Sequence, residues 1–257
     1  MDTMPTVLAC DVGNTTIRFA EVCGQTVTNA QAIGIGDLAG LGETLRQLWA
    51  NMTEPKKIAA GSVNAEGLKA LEATVAKDID QEVLVVGRDL PLPIETDLDN
   101  PSATGTDRLC AAAAAFDHLG VACVVADFGT AITIDCVNSD GIFLGGAIMP
   151  GLRIGADSLA RHTCQLPKVE LAEPDWVFGK DTNQAIVGGL IISARGALRE
   201  FAEAYATEIG QWPAVVITGG DAHLICREPG KSTLVQCQVD DLTVRGVAIA
   251  YYKSLLK

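Results

Sequence analysis

Three aspartates stand where this sequence could handle phosphate and a proton. Asp11 ends an apolar run and opens the turn Asp11-Val12-Gly13-Asn14-Thr15, after which apolar residues resume at Ile17 and Phe19. Such a pattern reads as two strands joined by a tight turn, with a carboxylate at its mouth. Residues 121–137 repeat it around Asp127-Phe128-Gly129-Thr130. Glycine lets backbone N–H groups approach phosphate closely, and an aspartate can hold the divalent cation that neutralises it. Two such turns point to the phosphates of ATP. The third aspartate lies in Gly105-Thr106-Asp107-Arg108, which leaves a proline-bearing loop and enters an alanine-rich helix. An aspartate there serves either as a helix cap or as the acceptor of a proton from an attacking hydroxyl, with Arg108 gripping an anionic substrate in bidentate fashion.

Other short motifs are weaker. Thr218-Gly219-Gly220 follows an apolar run and is either a plain strand-to-helix turn or a flat surface for an adenine ring. Gly230-Lys231-Ser232 has the ending of a P-loop, but the glycine required five residues earlier is Ile225, and a strand follows where a helix is needed. It reads as a surface turn. The Asp127-Phe128-Gly129 triplet is accompanied by neither of the loops that mark a protein kinase.

The elements that must position these residues alternate between strand and helix. After the first hairpin, leucines at 38, 41, 45 and 48 give residues 37–50 a helical spacing. A strand at 57–63, a helix near 65–77 and a strand at 82–87 follow. Residues 88–105 lose periodicity and contain Pro91, Pro93 and Pro101, the kind of long irregular segment that often carries function. A helix over 109–118 leads into the second hairpin. A third strand at 141–145 ends in Gly-Gly-Ala-Ile-Met-Pro-Gly, with Pro150 and Gly151 turning into a helix. Residues 170–179 read as a surface crossing, 183–208 as a long helix softened by Gly188 and Gly189, 214–218 as a strand, 219–221 as a helix start, and 242–255 as an amphipathic closing helix. The fold class is α/β, with helices packed on sheets, and the repeated hairpin predicts two similar lobes, 1–118 and 119–257, facing each other across a cleft.

Composition narrows the partners. A formal charge of −13 argues against nucleic acid, whose phosphates need clustered Lys and Arg; an anionic ligand must be held by backbone donors, metal ions and a few placed cations. The eight cysteines form no C-x-x-C pair, the three histidines form no ligand spacing, and a zinc site is not expected. The N-terminus lacks the charged segment and apolar run of a secretory signal, so reduced thiols in a cytoplasmic protein are expected. No apolar run approaches the roughly 20 residues of a membrane span.

Taken in order, DVGNT (11–15), NPSATGTDR (100–108), DFGTAITID (127–135), GGAIMPG (145–151), GKDT (179–182) and TGGDA (218–222) resemble the type III pantothenate kinase family over nearly the whole chain. The resemblance implies two ribonuclease-H-like lobes of the acetate and sugar kinase/Hsp70/actin fold, with ATP in the cleft. It implies phosphorylation of pantothenate in the first step of coenzyme A synthesis, by a homodimer that uses ATP, Mg²⁺ and a monovalent cation (K⁺ or NH₄⁺). Carried over by motif, Asp11, Val12, Gly13, Asn14, Thr15, Thr16, Ile17 and Arg18 match the segment around the ATP phosphates, with Asp11 reaching Mg²⁺ through them. Thr130 matches an ATP contact, and Gly219 and Gly220 would serve adenine. Asp107 matches the general base, Gly105, Thr106, Asp107 and Arg108 the pantothenate contacts, Asp127 the monovalent-cation ligand, and Thr182 a substrate contact supplied across the subunit interface. Two departures stand out. Leu98 replaces a customary aromatic residue, which bears on substrate affinity and identity. Thr106 replaces a small or aliphatic residue, with little effect expected. The ATP motifs alone also permit a kinase for another small hydroxylated substrate, and the fold permits a non-catalytic transcriptional accessory protein.

Overall fold

In the computed structural model, residues 4–226 and 233–256 are described. The chain divides into two compact units. The first comprises Met1–His118 with Asp241–Lys257, and the second Leu119–Asp240.

The first unit begins with an antiparallel meander, β1 (Thr6–Val12), β2 (Thr16–Cys23) and β3 (Thr26–Gly34). Helix α1 (Leu41–Asn51) leads to β4 (Lys56–Ser62), α2 (Ala65–Ile79) leads to β5 (Val83–Val85), and a two-residue strand β6 (Glu95–Thr96) interrupts the loop before α3 (Thr106–Leu119). The five strands run β3-β2-β1-β4-β5, with β1, β4 and β5 parallel. Alternation decides which face each residue covers. Leu8, Cys10, Val12, Ile17 and Phe19 point one way, where Leu41, Leu45 and Leu48 of α1 and Leu71 and Val75 of α2 complete a core. Val7, Ala9, Ala20 and Val22 point the other way, against Val244, Val247 and Ala248 of the C-terminal helix α7 (Leu242–Ser254) and against Cys110 of α3. The alanines of α3 have a steric reason nearby. A Cβ on Gly246 of α7 would collide with the main chain of Cys110, so the two helices touch backbone to backbone.

The second unit repeats the plan. Its strands are β7 (Cys123–Phe128), β8 (Ala131–Val137), β9 (Ile142–Pro150), β10 (Ala214–Thr218) and β11 (Cys237–Gln238). They run β9-β8-β7-β10-β11, with β7 antiparallel to β8 and parallel to β10. Helices α4 (Leu152–His162) and α5 (Thr182–Ile209) join β9 to β10, and the single-turn α6 (Ala222–Ile225) follows β10. Their apolar residues, among them Leu152, Ile191, Leu198 and Leu224, cover the face formed by Val124, Ala126, Phe128, Ile132 and Ile134. Strand order and direction are therefore the same in both units, the duplicated topology that the resemblance implies.

Several sequence expectations change in detail. The strand expected to end at 145 runs on to Pro150. Gly146 allows this, because a Cβ there would strike Ile134 O and Asp135 while β8–β9 pairing continues past it. Strand β3 was not anticipated. Most of its residues are exposed, so its sequence carries no buried alternation. The strands β6 and β11 are only two residues each, too short to leave a pattern. Helix α3 starts at Thr106, three residues before the expected start, and α5 runs unbroken through Gly188 and Gly189. The Gly230-Lys231-Ser232 turn lies outside the described residues.

Candidate functional site

In the first unit, Asp11 is the penultimate residue of β1, paired in register with Arg18 on β2 and Gly61 on β4. The turn after it is held from within and from beside. Gly13 N–H donates to Thr16 O at 3.0 Å, Val63 N–H on the neighbouring crossing donates to Val12 O at 3.0 Å, and Asn64 Nδ2 reaches Gly13 O at 3.4 Å. Asn64 also caps α2, its side chain accepting from Gly67 N–H at 2.9 Å. A fixed turn with Asn14 and Thr15 exposed at its tip is suited to present backbone donors to an anion.

Asp107 reaches this region through α3. The Thr106 hydroxyl bridges the end of β4, accepting from Ser62 N–H and donating to Ser62 O, each at 3.0 Å. That anchor sits beside Gly61, where a Cβ would lie 3.7 Å from Thr106 Oγ1 and 3.8 Å from Cys110 Sγ. Asp107 Oδ1 accepts from Arg108 N–H at 2.8 Å, and both residues are half-buried. The buried thiol of Cys110 is pushed far above its ordinary range, first by burial and then by the negative charges of Asp11 and Asp107. Because Asp11 and Val12 pair in register with Gly61 and Ser62, the Thr106–Ser62 bridge brings Asp11, Thr106 and Asp107 to the same end of the sheet. Leu98 is half-buried in the loop ahead of α3.

The second unit holds its own group. Asp127 is the penultimate residue of β7, in register with Thr133 and Thr218. Gly129 N–H donates to Ala131 O at 3.1 Å, Gly151 N–H to Thr130 O at 3.2 Å, and Asp221 N–H to Phe128 O at 3.0 Å. Gly219 has a φ of +97° and lies so close to Asp127 Oδ1 and the Phe128 main chain that a Cβ would overlap them. Only glycine serves there, because the backbone is left-handed and the close packing against the carboxylate leaves no space for a side chain. Gly220 is exposed. The structure therefore brings Asp127, Gly129, Thr130 and Gly219 together.

Thr182 is the exposed first residue of α5, just after Asp181, whose side chain caps the helix by accepting from Gln184 N–H at 2.8 Å. It lines a groove of about 710 Å³ with Leu159, Leu166, Gly179, Ile186 and Leu190, a lining that includes none of the Asp127 group. Ahead of it, Val177 and Phe178 are 90% and 78% exposed.

Among the described residues, no group of three or more His, Cys, Asp or Glu side chains is arranged to hold a metal ion. Mg²⁺ bound through phosphate oxygens needs only one or two carboxylates, so the single carboxylates of Asp11 and Asp127 fit that mode. Sequence reading missed the struts from Ser62, Val63 and Asn64. Asn64 is legible as a helix cap, but its second bond depends on strand register. Among the described residues, no helix is long and apolar enough to cross a membrane.

The sequence profile of the type III pantothenate kinase family matches residues 7–204. Relatives of that name are 34% identical in Anaeromyxobacter sp. (strain K) and 33% identical in Syntrophotalea carbinolica, each alignment covering 96% of this chain and 99% of the relative. Among solved structures, component A of (R)-2-hydroxyglutaryl-CoA dehydratase from Acidaminococcus fermentans superposes with a TM-score of 0.55 at 15% identity, covering 98% of this chain and 99% of that one. A Campylobacter jejuni protein named for the Baf family of transcriptional activators gives 0.61 at 19%, covering 98% and 100%. At such identities these likenesses speak for fold alone. It is the acetate and sugar kinase/Hsp70/actin fold.

Proposed function

The chain belongs to the type III pantothenate kinase family, which uses ATP to convert pantothenate to 4′-phosphopantothenate at the start of coenzyme A synthesis, and from that premise we propose how its residues divide the work. Asp107 is the general base. It takes the proton of pantothenate's primary hydroxyl as that oxygen attacks the γ-phosphorus in line, while Arg108 pairs with the substrate carboxylate. Gly105, Thr106 and Leu98 complete the pantothenate contacts. The segment from Asp11 to Arg18 wraps the phosphates, Thr130 adds an ATP contact, and Gly219 and Gly220 lie along adenine. The observation that carries this reading is the Thr106–Ser62 bridge, which holds the start of α3 at the sheet end that Asp11 occupies.

Asp11 would hold Mg²⁺ through the phosphates and Asp127 a monovalent cation, K⁺ or NH₄⁺; the place of Asp127 at the carboxyl end of β7, beside the Gly129–Thr130 turn, supports the second assignment. When bound, both ions neutralise phosphate charge. The chain works as a homodimer, with Thr182 completing the partner's pantothenate site. The groove at Thr182 and the bare Val177 and Phe178 ahead of it support an interface there. A cytoplasmic location accords with the eight unpaired thiols.

The test is ADP release by purified protein with pantothenate and with a panel of sugars, with and without K⁺ or NH₄⁺. Pantothenate-dependent, cation-stimulated release is expected; release that ignores pantothenate would overturn the substrate assignment. Asp107→Asn should lose about 10²–10⁴ in rate with ATP binding retained, and near-normal turnover would remove Asp107 from its role. A strictly monomeric active protein would contradict Thr182's.

A further inference from the structure

Arg153 has no part in the assignments above. It sits in the first turn of α4, two residues after Gly151, whose N–H is bonded to Thr130 O. Its side chain is 77% exposed, yet it is tethered: Nη2 lies 3.1 Å from Asp221 Oδ1. Asp221 is the opposite kind of residue, only 4% exposed, with its own N–H bonded to Phe128 O at 3.0 Å. Three segments therefore meet at one joint: the Asp127–Thr130 turn, the start of α4, and the Gly219-Gly220-Asp221 loop. One partner of the pair is buried and the other lies in solvent, so its Coulomb attraction is partly screened. What the arrangement does supply is direction. A guanidinium has five donors in a fixed fork, and one edge held by Asp221 leaves the others set at a defined angle beside the turn that carries Asp127. In a chain of net charge −13, a cation fixed at that place is suited to a polyphosphate.

We infer that Arg153 is a further nucleotide contact, donating to a phosphate of ATP, and that Asp221 is its positioning residue. This rests on the reading that the Asp127 turn and the Gly219-Gly220 loop bind ATP. A charge-assisted contact of this kind sets affinity for the phosphate tail and leaves the adenosine moiety untouched.

The experiment is calorimetric titration of full-length protein with ATP, ADP and adenosine, together with steady-state kinetics, for wild type, Arg153→Gln, Arg153→Lys and Asp221→Asn. Arg153→Gln should weaken ATP and raise its KM about tenfold or more, with adenosine binding and the KM for pantothenate within twofold of wild type. Arg153→Lys should recover part of the loss, and Asp221→Asn should show a smaller loss of the same pattern. ATP binding by Arg153→Gln equal to wild type would overturn the inference. So would an equal weakening of adenosine, which would mean that the substitution disturbs the loop and not a phosphate contact. Failure of the underlying reading looks different, because then Thr130→Ala would also leave ATP binding unchanged.

Discussion

Replacing Thr106 by valine isolates the bridge that places Asp107. The side chains have nearly the same volume, so no cavity opens, but the hydroxyl that accepts from Ser62 N–H and donates to Ser62 O is lost. Each such bond contributes about 1 kcal/mol net, which makes the loss about 2 kcal/mol. Water can reach the half-buried Ser62 and take over part of its bonding, which keeps the cost from rising to the full penalty of two stranded groups. For a chain of this length that corresponds to a melting temperature lower by roughly 4–8 °C. The catalytic consequence should be larger than the thermal one. If the first turn of α3 shifts by about 1 Å, a base on it loses on the order of 10²-fold in rate, whereas nucleotide affinity, set by other segments, stays within a few-fold. Scanning calorimetry, pantothenate-dependent ADP release and ATP titration on Thr106→Val and Thr106→Ser give the three readouts, with serine expected to retain most of the activity. A valine variant with wild-type melting temperature and turnover would mean that α3 is held by its apolar contacts alone, and the claim that the hydroxyl positions Asp107 would fall.

Gly246→Ala should cost about 3 kcal/mol in urea unfolding, because the new Cβ meets the Cys110 main chain; a loss under 1 kcal/mol would show that the helices can part freely. Under native conditions a thiol reagent should label exposed Cys23 and Cys164 first and leave Cys10 and Cys110 unmodified, as peptide mapping can establish; early labelling of Cys110 would contradict its burial. Burial pushes the Cys123 thiol up to about 12 and, with Asp135 beside it, Cys136 up to about 11. The raised folded-state values mean their contribution is complete below the ordinary thiol value of 9.0 and declines as pH rises from there through 11 and 12. The urea midpoint should therefore fall between pH 9 and 10.5, and a rise would refute the sign.

The catalytic candidates were legible in sequence because they sit at places sequence marks well. Asp11 and Asp127 each lie at the end of a buried apolar run, two residues before a glycine, and Asp107 stands where a proline-bearing loop becomes a helix. The long amphipathic or apolar elements were legible for the same reason. What escaped was whatever depends on register or on a neighbour distant in the chain. The exposed β3 has no buried face to reveal it. The early start of α3 depends on Ser62, 44 residues away. Thr106 looked inconsequential because its two bonds go to backbone, which no side-chain pattern records. Arg153 lies two residues past the GGAIMPG motif and reads as an ordinary exposed helical cation until Asp221 is found beneath it.

The duplication explains why both aspartates, each in an Asp-x-Gly turn, are held so alike. In each unit the carboxylate is penultimate on the strand that has an antiparallel neighbour on one side and a parallel neighbour on the other. Chain order reverses direction at that strand, and the crossing loop from the parallel neighbour arrives at its carboxyl end, the position where open α/β sheets bind ligands. Each arriving loop pins the residue after the aspartate: Val63 N–H bonds Val12 O, and Asp221 N–H bonds Phe128 O, both at 3.0 Å. Beyond the pins the copies diverge. The first loop places Asn64 on the turn and Ser62 under α3, so that crossing also anchors the proposed base. The second offers Gly219 and Gly220, bare of side chains beside Asp127, and buries Asp221 under Arg153. One backbone joint is thus specialised differently in each unit: the first anchors the helix that carries the proposed base, and the second seats the proposed phosphate contact, Arg153, on a buried carboxylate.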